Sequence, residues 1–212
     1  MTTVLQGSNL SLREVEQRFN LQYIEDPNFF PEYRVSTSPL SELDKQILDR
    51  AKQDFLDLRK DSAKEELVKM VLVSPLLSAA GLYRYPFHVA TEEAIELTLE
   101  DNAEVLRGRI DILVLKDNLW VMVIEAKKAE FSIHKAVPQT LSYLMSNPNP
   151  TQISFGLVTN GSELMFLKLK QPSEEQTSPS YGFSRIFSLF NPGNELYEVV
   201  TILQHLEHLG IC

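Results

Sequence analysis

Cysteine is nearly missing from this 212-residue chain: there is one, Cys212, the last residue. No disulfide can therefore close within the chain, and zinc sites built on cysteine pairs are excluded. No apolar run approaches the length needed to cross a bilayer. The segment Met1 to Gln17 lacks the basic start and apolar stretch of a signal peptide, so the expectation is a cytoplasmic protein with no membrane role. Gly-Lys occurs nowhere, which removes the phosphate-binding loop of ATP-driven motors. Basic residues are outnumbered, with 20 Lys and Arg against 29 Asp and Glu, and the net charge of −9 argues against a general nucleic-acid coat protein.

The charge is unevenly spread. Residues 1–66 carry −4, 67–104 carry −4 and 171–212 carry −4, whereas 105–170 carry +3. A local positive field is what a polyanionic substrate requires, whatever the total. The positive stretch also holds most of the residues singled out below.

Ser41 reads as an N-cap for a helix over Glu42 to Arg59, with Leu43, Ile47, Leu48, Ala51, Phe55 and Leu58 at helical spacing. A second helix is predicted from Ser62 to Ala80, with Pro75 a point of interruption and Gly81 its end. Strand patterns follow at Tyr83–Ala90, Ala94–Leu99, Leu106–Leu115 and Leu119–Ala126. Helix is predicted over Ile133–Met145, then two strands, Ile153–Thr159 and Glu163–Leu169, around a two-residue Asn160-Gly161 reversal. A polar linker, Gln171–Ser180, precedes a last helix over Glu195–Leu209. This order implies an α/β protein: a mixed central β-sheet flanked by helices. The division expected is an N-terminal helical extension (1–61), a core (62–170), and a linker with a C-terminal helix packing on that core (171–212). Phe29, Phe30 and Tyr33 read as aromatics that pack the extension onto the core.

The chemistry concentrates in Val121–Lys127, Val-Met-Val-Ile-Glu-Ala-Lys, a buried-strand pattern ending in two opposite charges. Alternation puts Glu125 and Lys127 on one side. Asp111 sits in the preceding strand between apolar β-branched residues, where an acid is costly unless paired or metal-bound. Acid-x-Lys alone is weak, since chance gives about one or two in a chain of this make-up. Two carboxylates able to hold Mg²⁺, which polarises a phosphate and acidifies a bound water, together with a lysine to stabilise developing charge, fit phosphodiester hydrolysis. The same three residues also fit an ion-pair cluster at a sheet edge.

The hairpin must satisfy a register condition. A two-residue turn at Asp117-Asn118 pairs Lys116 with Leu119, hence Asp111 with Ile124, and turns the two acids to opposite faces. A shared metal therefore requires an odd-length turn, or a bulge that restores the phase.

Asp111 followed by Glu125-Ala126-Lys127 resembles the PD-(D/E)XK nuclease superfamily, although Ile110 stands where the family name has proline. Gln139-Thr140-Leu141-Ser142-Tyr143, Gly108-Arg109-Ile110-Asp111 and Val158-Thr159-Asn160-Gly161 are similar to the N-terminal nuclease domain of type I restriction enzyme R subunits, as is Glu65 on a helix before the sheet. The likeness spans about residues 62–170 and extends to short stand-alone forms without motor domains.

It implies a restriction-endonuclease-like core and a Mg²⁺- or Mn²⁺-dependent DNA endonuclease serving restriction or defence. Asp111, Glu125 and Lys127 would be catalytic. Glu65, Asp111, Glu125 and the Ala126 carbonyl would bind metal, and Gln139 and Tyr143 would contact substrate or brace the site. Arg107, Arg109, Lys128 and Lys135 are candidates to line the DNA path. A homodimer or a larger restriction complex is the implied assembly. The alternative is a non-cleaving DNA- or partner-binding module. For Glu65 the bland reading is an acid in a first helical turn, and for Gln139 and Tyr143 a helix-surface pair. His205 and His208 lack an evident third ligand and are assigned no metal.

Overall fold

A computed structural model describes residues 3–34, 40–61, 63–99, 104–117, 119–148, 150, 153–174 and 176–209. Ser62, Asn118 and Cys212 lie outside the described residues, as does the side chain of His208.

The chain opens with strand β1 (Thr3–Gln6) and helix α1 (Leu12–Phe19). Ser11 starts α1 through a reciprocal capping box with Glu14, and Asn20 ends it in the left-handed conformation. After the two-residue strand β2 (Gln22–Tyr23) comes helix α2 (Glu42–Leu58), capped by Ser41 as the pattern predicts. The next helical stretch starts at Glu65 and has three parts: α3 (Glu65–Val68), a π-helical turn (Lys69–Val73) and α4 (Ser74–Ala80). Pro75 therefore does not break it. Proline lacks an N–H and crowds the carbonyl four residues earlier, and the wider π turn just before it accommodates both. Gly81, at φ 84°, closes the helix as expected.

Strands β3 (Phe87–Leu99), β4 (Glu104–Lys116) and β5 (Leu119–Ala126) follow, then α5 (Val137–Met145). Strands β6 (Ile153–Thr159), β7 (Glu163–Lys170), β8 (Ser180–Phe183) and β9 (Phe187–Ser188) precede the last helix, α6 (Leu196–Leu209). One mixed sheet forms with the order β1-β4-β5-β6-β7-β8-β2, β3 pairing with β4 and β9 with β7. Strands β5 and β6 run parallel, so α5 is their crossover.

Two apolar clusters cover the two faces. Leu48, Phe55, Leu72, Leu76 and Leu203 from α2, the π turn, α4 and α6 pack with Ile124 and Phe166 on one side. Val15 and Leu141 from α1 and α5 pack with Val123, Leu167 and Tyr181 on the other. The architecture is the mixed sheet flanked by helices that the element order implied.

The stretch 1–61, read from sequence as a helical extension, also supplies strands: β1 runs parallel to β4 from Thr3↔Glu104 to Gln6↔Arg107, and β2 pairs with β8. Phe30 is 2% exposed, stacks on Phe155 at 5.8 Å and takes Tyr33 edge-on at 5.3 Å. The two strands predicted at Tyr83–Ala90 and Ala94–Leu99 merge into one, β3, which starts only at Phe87 because residues 81–86 form turns, and Glu92 lies inside it at φ 55°. The Asn160-Gly161 reversal is longer than predicted. Thr159 pairs with Leu164, and Asn160 Oδ1 accepts the N–H groups of Ser162 and Glu163, a side-chain turn that replaces the two-residue hairpin. Gly161, at φ 86°, also lies so close to Phe55 that a Cβ there would stand 2.0 Å from the ring.

The register of β4 against β5 decides the geometry of the acids. Lys116 pairs with Leu119 and Leu115 with Trp120, the short-turn register that would separate the acids. The register then shifts: Val114 pairs with Met122, Leu113 with Val123 and Ile112 with Ile124, leaving Val121 as the extra residue of a bulge. Val121 and Met122 are both buried in the same cluster. One residue of slip restores the phase and sets Asp111 against Glu125.

Candidate active site

Asp111 and Glu125 lie on adjacent strands and interlock through main-chain hydrogen bonds. The Asp111 N–H donates to Glu125 Oε1 at 3.2 Å, and the Ala126 N–H donates to Asp111 Oδ2 at 2.9 Å. Both residues are buried, Glu125 completely. Each carboxylate is thus fixed by one oxygen, which leaves Asp111 Oδ1 and Glu125 Oε2 for other partners. Lys127 Nζ stands 3.5 Å from Glu125 Oε2, on the side that strand alternation demands. Glu125 Oε2 makes no hydrogen bond. Burial, then the charge of Asp111, pushes the Glu125 carboxyl well above the usual carboxylate range, and Lys127 only partly offsets this.

Glu65, half-buried at the start of α3, reaches the same place. Burial and then the Asp111 charge raise its pKa, and Lys127 and Lys69 lower it. Lys69, one helical turn beyond Glu65, has its ammonium 3.2 Å from Asp111 Oδ1 and 3.2 Å from Glu92 Oε1. A groove of about 490 Å³ opens beside Asp111, lined by Lys69, Met70, Tyr83 and Glu92 among others.

On the other side of the hairpin, Gln139 and Tyr143 form one unit. Gln139 Nε2 donates to Tyr143 Oη at 3.0 Å, and the Arg109 N–H donates to the same oxygen at 3.1 Å. Tyr143 is 1% exposed, and burial followed by the Glu125 charge pushes its hydroxyl up to about 12. The ring fits because β4 has glycine at 108. A surface pair is therefore the wrong description: both residues are buried and tie α5 to the main chain two residues before Asp111.

Arg107, Arg109, Lys128 and Lys135 are all exposed. Arg107 pairs with Glu96 at 2.8 Å, Arg109 lies 3.8 Å from Glu92, and Lys135 sits over the Phe131 ring at 4.8 Å. His205 is half-buried on α6. Among the described residues no group of three or more His, Cys, Asp or Glu side chains is arranged to hold a metal ion. Glu65, Asp111 and Glu125 gather without closing into such a cage, and Lys69 and Lys127 stand at two of their oxygens. Sequence reasoning missed Lys69 and Glu92. The i, i+4 spacing of Glu65 and Lys69 on one helix was the available signal for the first. Nothing local marks Glu92.

The region 64–179, more than half of the chain, matches the type I restriction enzyme R protein N terminus, and the chain belongs to that family. A solved fragment of a candidate HsdR subunit of a type I restriction enzyme from Vibrio vulnificus YJ016 is similar at 20% identity and a TM-score of 0.39, covering 65% of this chain and 25% of that one. The chain thus spans about a quarter of the solved relative's length. No curated protein matches the sequence. No helix among the described residues is long and apolar enough to cross a membrane.

Proposed function

We propose that this chain is a metal-dependent DNA endonuclease domain of the PD-(D/E)XK kind, acting in a cytoplasmic restriction system. The observation that carries the reading is the phase-restoring bulge at Val121. A short turn alone would have set Asp111 and Glu125 on opposite faces, and the sheet instead brings two buried carboxylates together with a lysine beside them.

The donor set suits Mg²⁺ or Mn²⁺. Glu125 Oε2 is buried without a hydrogen bond, Asp111 Oδ1 is the oxygen that the main chain leaves free, and Glu65 and Glu125 are both raised in pKa, first by burial and then by the charge of Asp111. Such a group of mutually repelling carboxylates gains most from a hard divalent cation. Asp111, Glu125 and Glu65 would hold it, with the Ala126 carbonyl as a further ligand. When bound, the ion polarises the scissile phosphate and acidifies a coordinated water. Lys127, anchored on Glu125, orients the attacking water and stabilises charge growing on the phosphoryl oxygens. Gln139 and Tyr143 brace β4, because their hydrogen bonds end on the Arg109 main chain. Arg107, Arg109, Lys128 and Lys135 are exposed and available to the DNA backbone, Arg107 and Arg109 by exchanging surface glutamates for phosphates. The full restriction complex, with partner subunits or a second copy, belongs to the same proposal.

A second reading has one observation in its favour: Lys69 and Lys127 already stand against Asp111 and Glu125, as they would in a nuclease fold that binds DNA or a partner without cutting. Incubation of supercoiled plasmid with Mg²⁺ or Mn²⁺ separates the two. The endonuclease reading predicts nicked or linear product that disappears with EDTA and in Asp111→Ala, Glu125→Ala and Lys127→Ala, each still folded by circular dichroism. Intact plasmid under all metal conditions, with retained DNA binding, supports the non-cleaving module. Undiminished cleavage in all three variants overturns the site assignment.

A further inference from the structure

Lys69 belongs to none of the motifs in the sequence, yet it makes the nearest cationic contact to Asp111. Its Nζ lies 3.2 Å from Asp111 Oδ1 and 3.2 Å from Glu92 Oε1, and its side chain is 20% exposed. Asp111 Oδ2 is committed to the Ala126 N–H, so Lys69 occupies the oxygen that the main chain leaves free.

Two departures from regular backbone converge on this ammonium. Lys69 is the first residue of the π turn, which inserts extra backbone into an otherwise α-helical stretch and shifts where the following side chains point. Glu92 is at φ 55° inside β3, at the place where the pairing skips from Thr91↔Ile112 to Glu93↔Ile110, opposite Asp111. A non-glycine residue there is unusual and is held by its surroundings. Glu92 in turn meets both Lys69 and Arg109. An incidental surface ion pair needs neither feature.

We propose that Lys69 is the resident counter-cation of the carboxylate centre, a positioning residue that holds Asp111 in place and competes with a divalent ion for its Oδ1. This rests on the metal-centre reading above. Lys127 cannot take the same part, since it stands on Glu125. To admit a divalent ion at Asp111 Oδ1, Lys69 has to swing from Asp111 onto Glu92, which already receives it. Glu92 is thus the parking site that lets one ammonium serve both states of the centre.

Isothermal titration with Mn²⁺ on the wild-type chain, Lys69→Met, Lys69→Gln and Lys69→Arg tests this, alongside thermal unfolding with and without Mn²⁺. Removing a positive charge a few ångströms from a divalent ion strengthens binding by at least about tenfold even under heavy screening. Lys69→Met and Lys69→Gln are expected to bind Mn²⁺ at least about tenfold more tightly than wild type. Their metal-free forms should melt lower, and added Mn²⁺ should raise their Tm by more than it raises that of wild type. Lys69→Arg keeps the charge and should bind Mn²⁺ within about threefold of wild type. Equal or weaker Mn²⁺ binding in the folded neutral variants, with wild type binding normally, overturns the role of Lys69 and leaves the metal centre standing. Absence of Mn²⁺ binding in wild type and all variants overturns both.

Discussion

Gly108→Ala is a sharp test of how the site is braced, because two effects of opposite sign compete and the structure says which wins. Gly108 lies in β4 and is not among the positive-φ glycines. On backbone grounds alanine is thus favourable there, by about 0.4–1 kcal/mol, through reduced freedom of the unfolded chain. The side-chain argument runs the other way. A Cβ at 108 would stand 2.5 Å from Tyr143 Cε1 and 2.6 Å from its Oη. The ring is 1% exposed, so it cannot swing into solvent without unpacking. Overpacking of this kind costs about 1–3 kcal/mol. A displaced Oη also loses the Arg109 N–H and Gln139 Nε2, at about 0.5–1.5 kcal/mol for each hydrogen bond. At mid-range these terms leave a net loss of about 3 kcal/mol, or roughly 6–12 °C in Tm for a domain of this size. Calorimetric or circular-dichroism melting reads it directly. Most of the loss should vanish when Tyr143→Leu is present as well, since the clash and the bonds are then already gone. A Gly108→Ala variant that melts at or above the wild-type temperature refutes the account of Tyr143 as a brace.

Other consequences are open to simple measurements. Burial first and Asp111 second raise the folded-state pKa of Glu125 above its ordinary 4.5, so ionising it weakens the fold. Metal-free stability should therefore fall as pH rises from about 4.5 through the raised folded value, and Glu125→Gln should flatten that slope and raise Tm at neutral pH; a lower Tm at neutral pH contradicts the assignment. DNA affinity should drop with added salt despite the net charge of −9. Arg109→Ala or Lys128→Ala should each reduce the log–log salt slope by about one, and a binding constant indifferent to salt rules the basic path out.

Much of this was legible in the sequence, and the misses have physical causes. The Ser41 cap and the Leu48–Ala51–Phe55 stripe give α2 nearly to the residue, because cap and periodicity agree. β5 emerges intact, since its apolar run is bounded by a turn and by a pair of charges. The turn residues alone could not fix the phase of Asp111 against Glu125; only the demand that both acids share a face called for a bulge, and none of the residues Trp120 to Met122 marks where it falls. The π turn escaped because Pro75 signals a disturbance without its form. The strands of the N-terminal stretch escaped because Thr3–Gln6 and Gln22–Tyr23 are too short for alternation to register. At the site, Asp111, Glu125 and Lys127 were visible as charges in apolar strands. Gln139 and Tyr143 were visible as a spacing, but their burial depends on Gly108 across the sheet. Lys69 and Glu92 reach the centre only through tertiary placement, which no local pattern encodes.

The central claim is that the carboxylate pair on the bulged hairpin is a metal centre. Anomalous scattering from a crystal grown with Mn²⁺ tests it most directly. The account predicts a peak bound by Asp111 Oδ1 and Glu125 Oε2 and bordered by Glu65, with Lys69 turned onto Glu92. A crystal in saturating Mn²⁺ with no peak there, and with Lys69 and Lys127 still against Asp111 and Glu125, would contradict it.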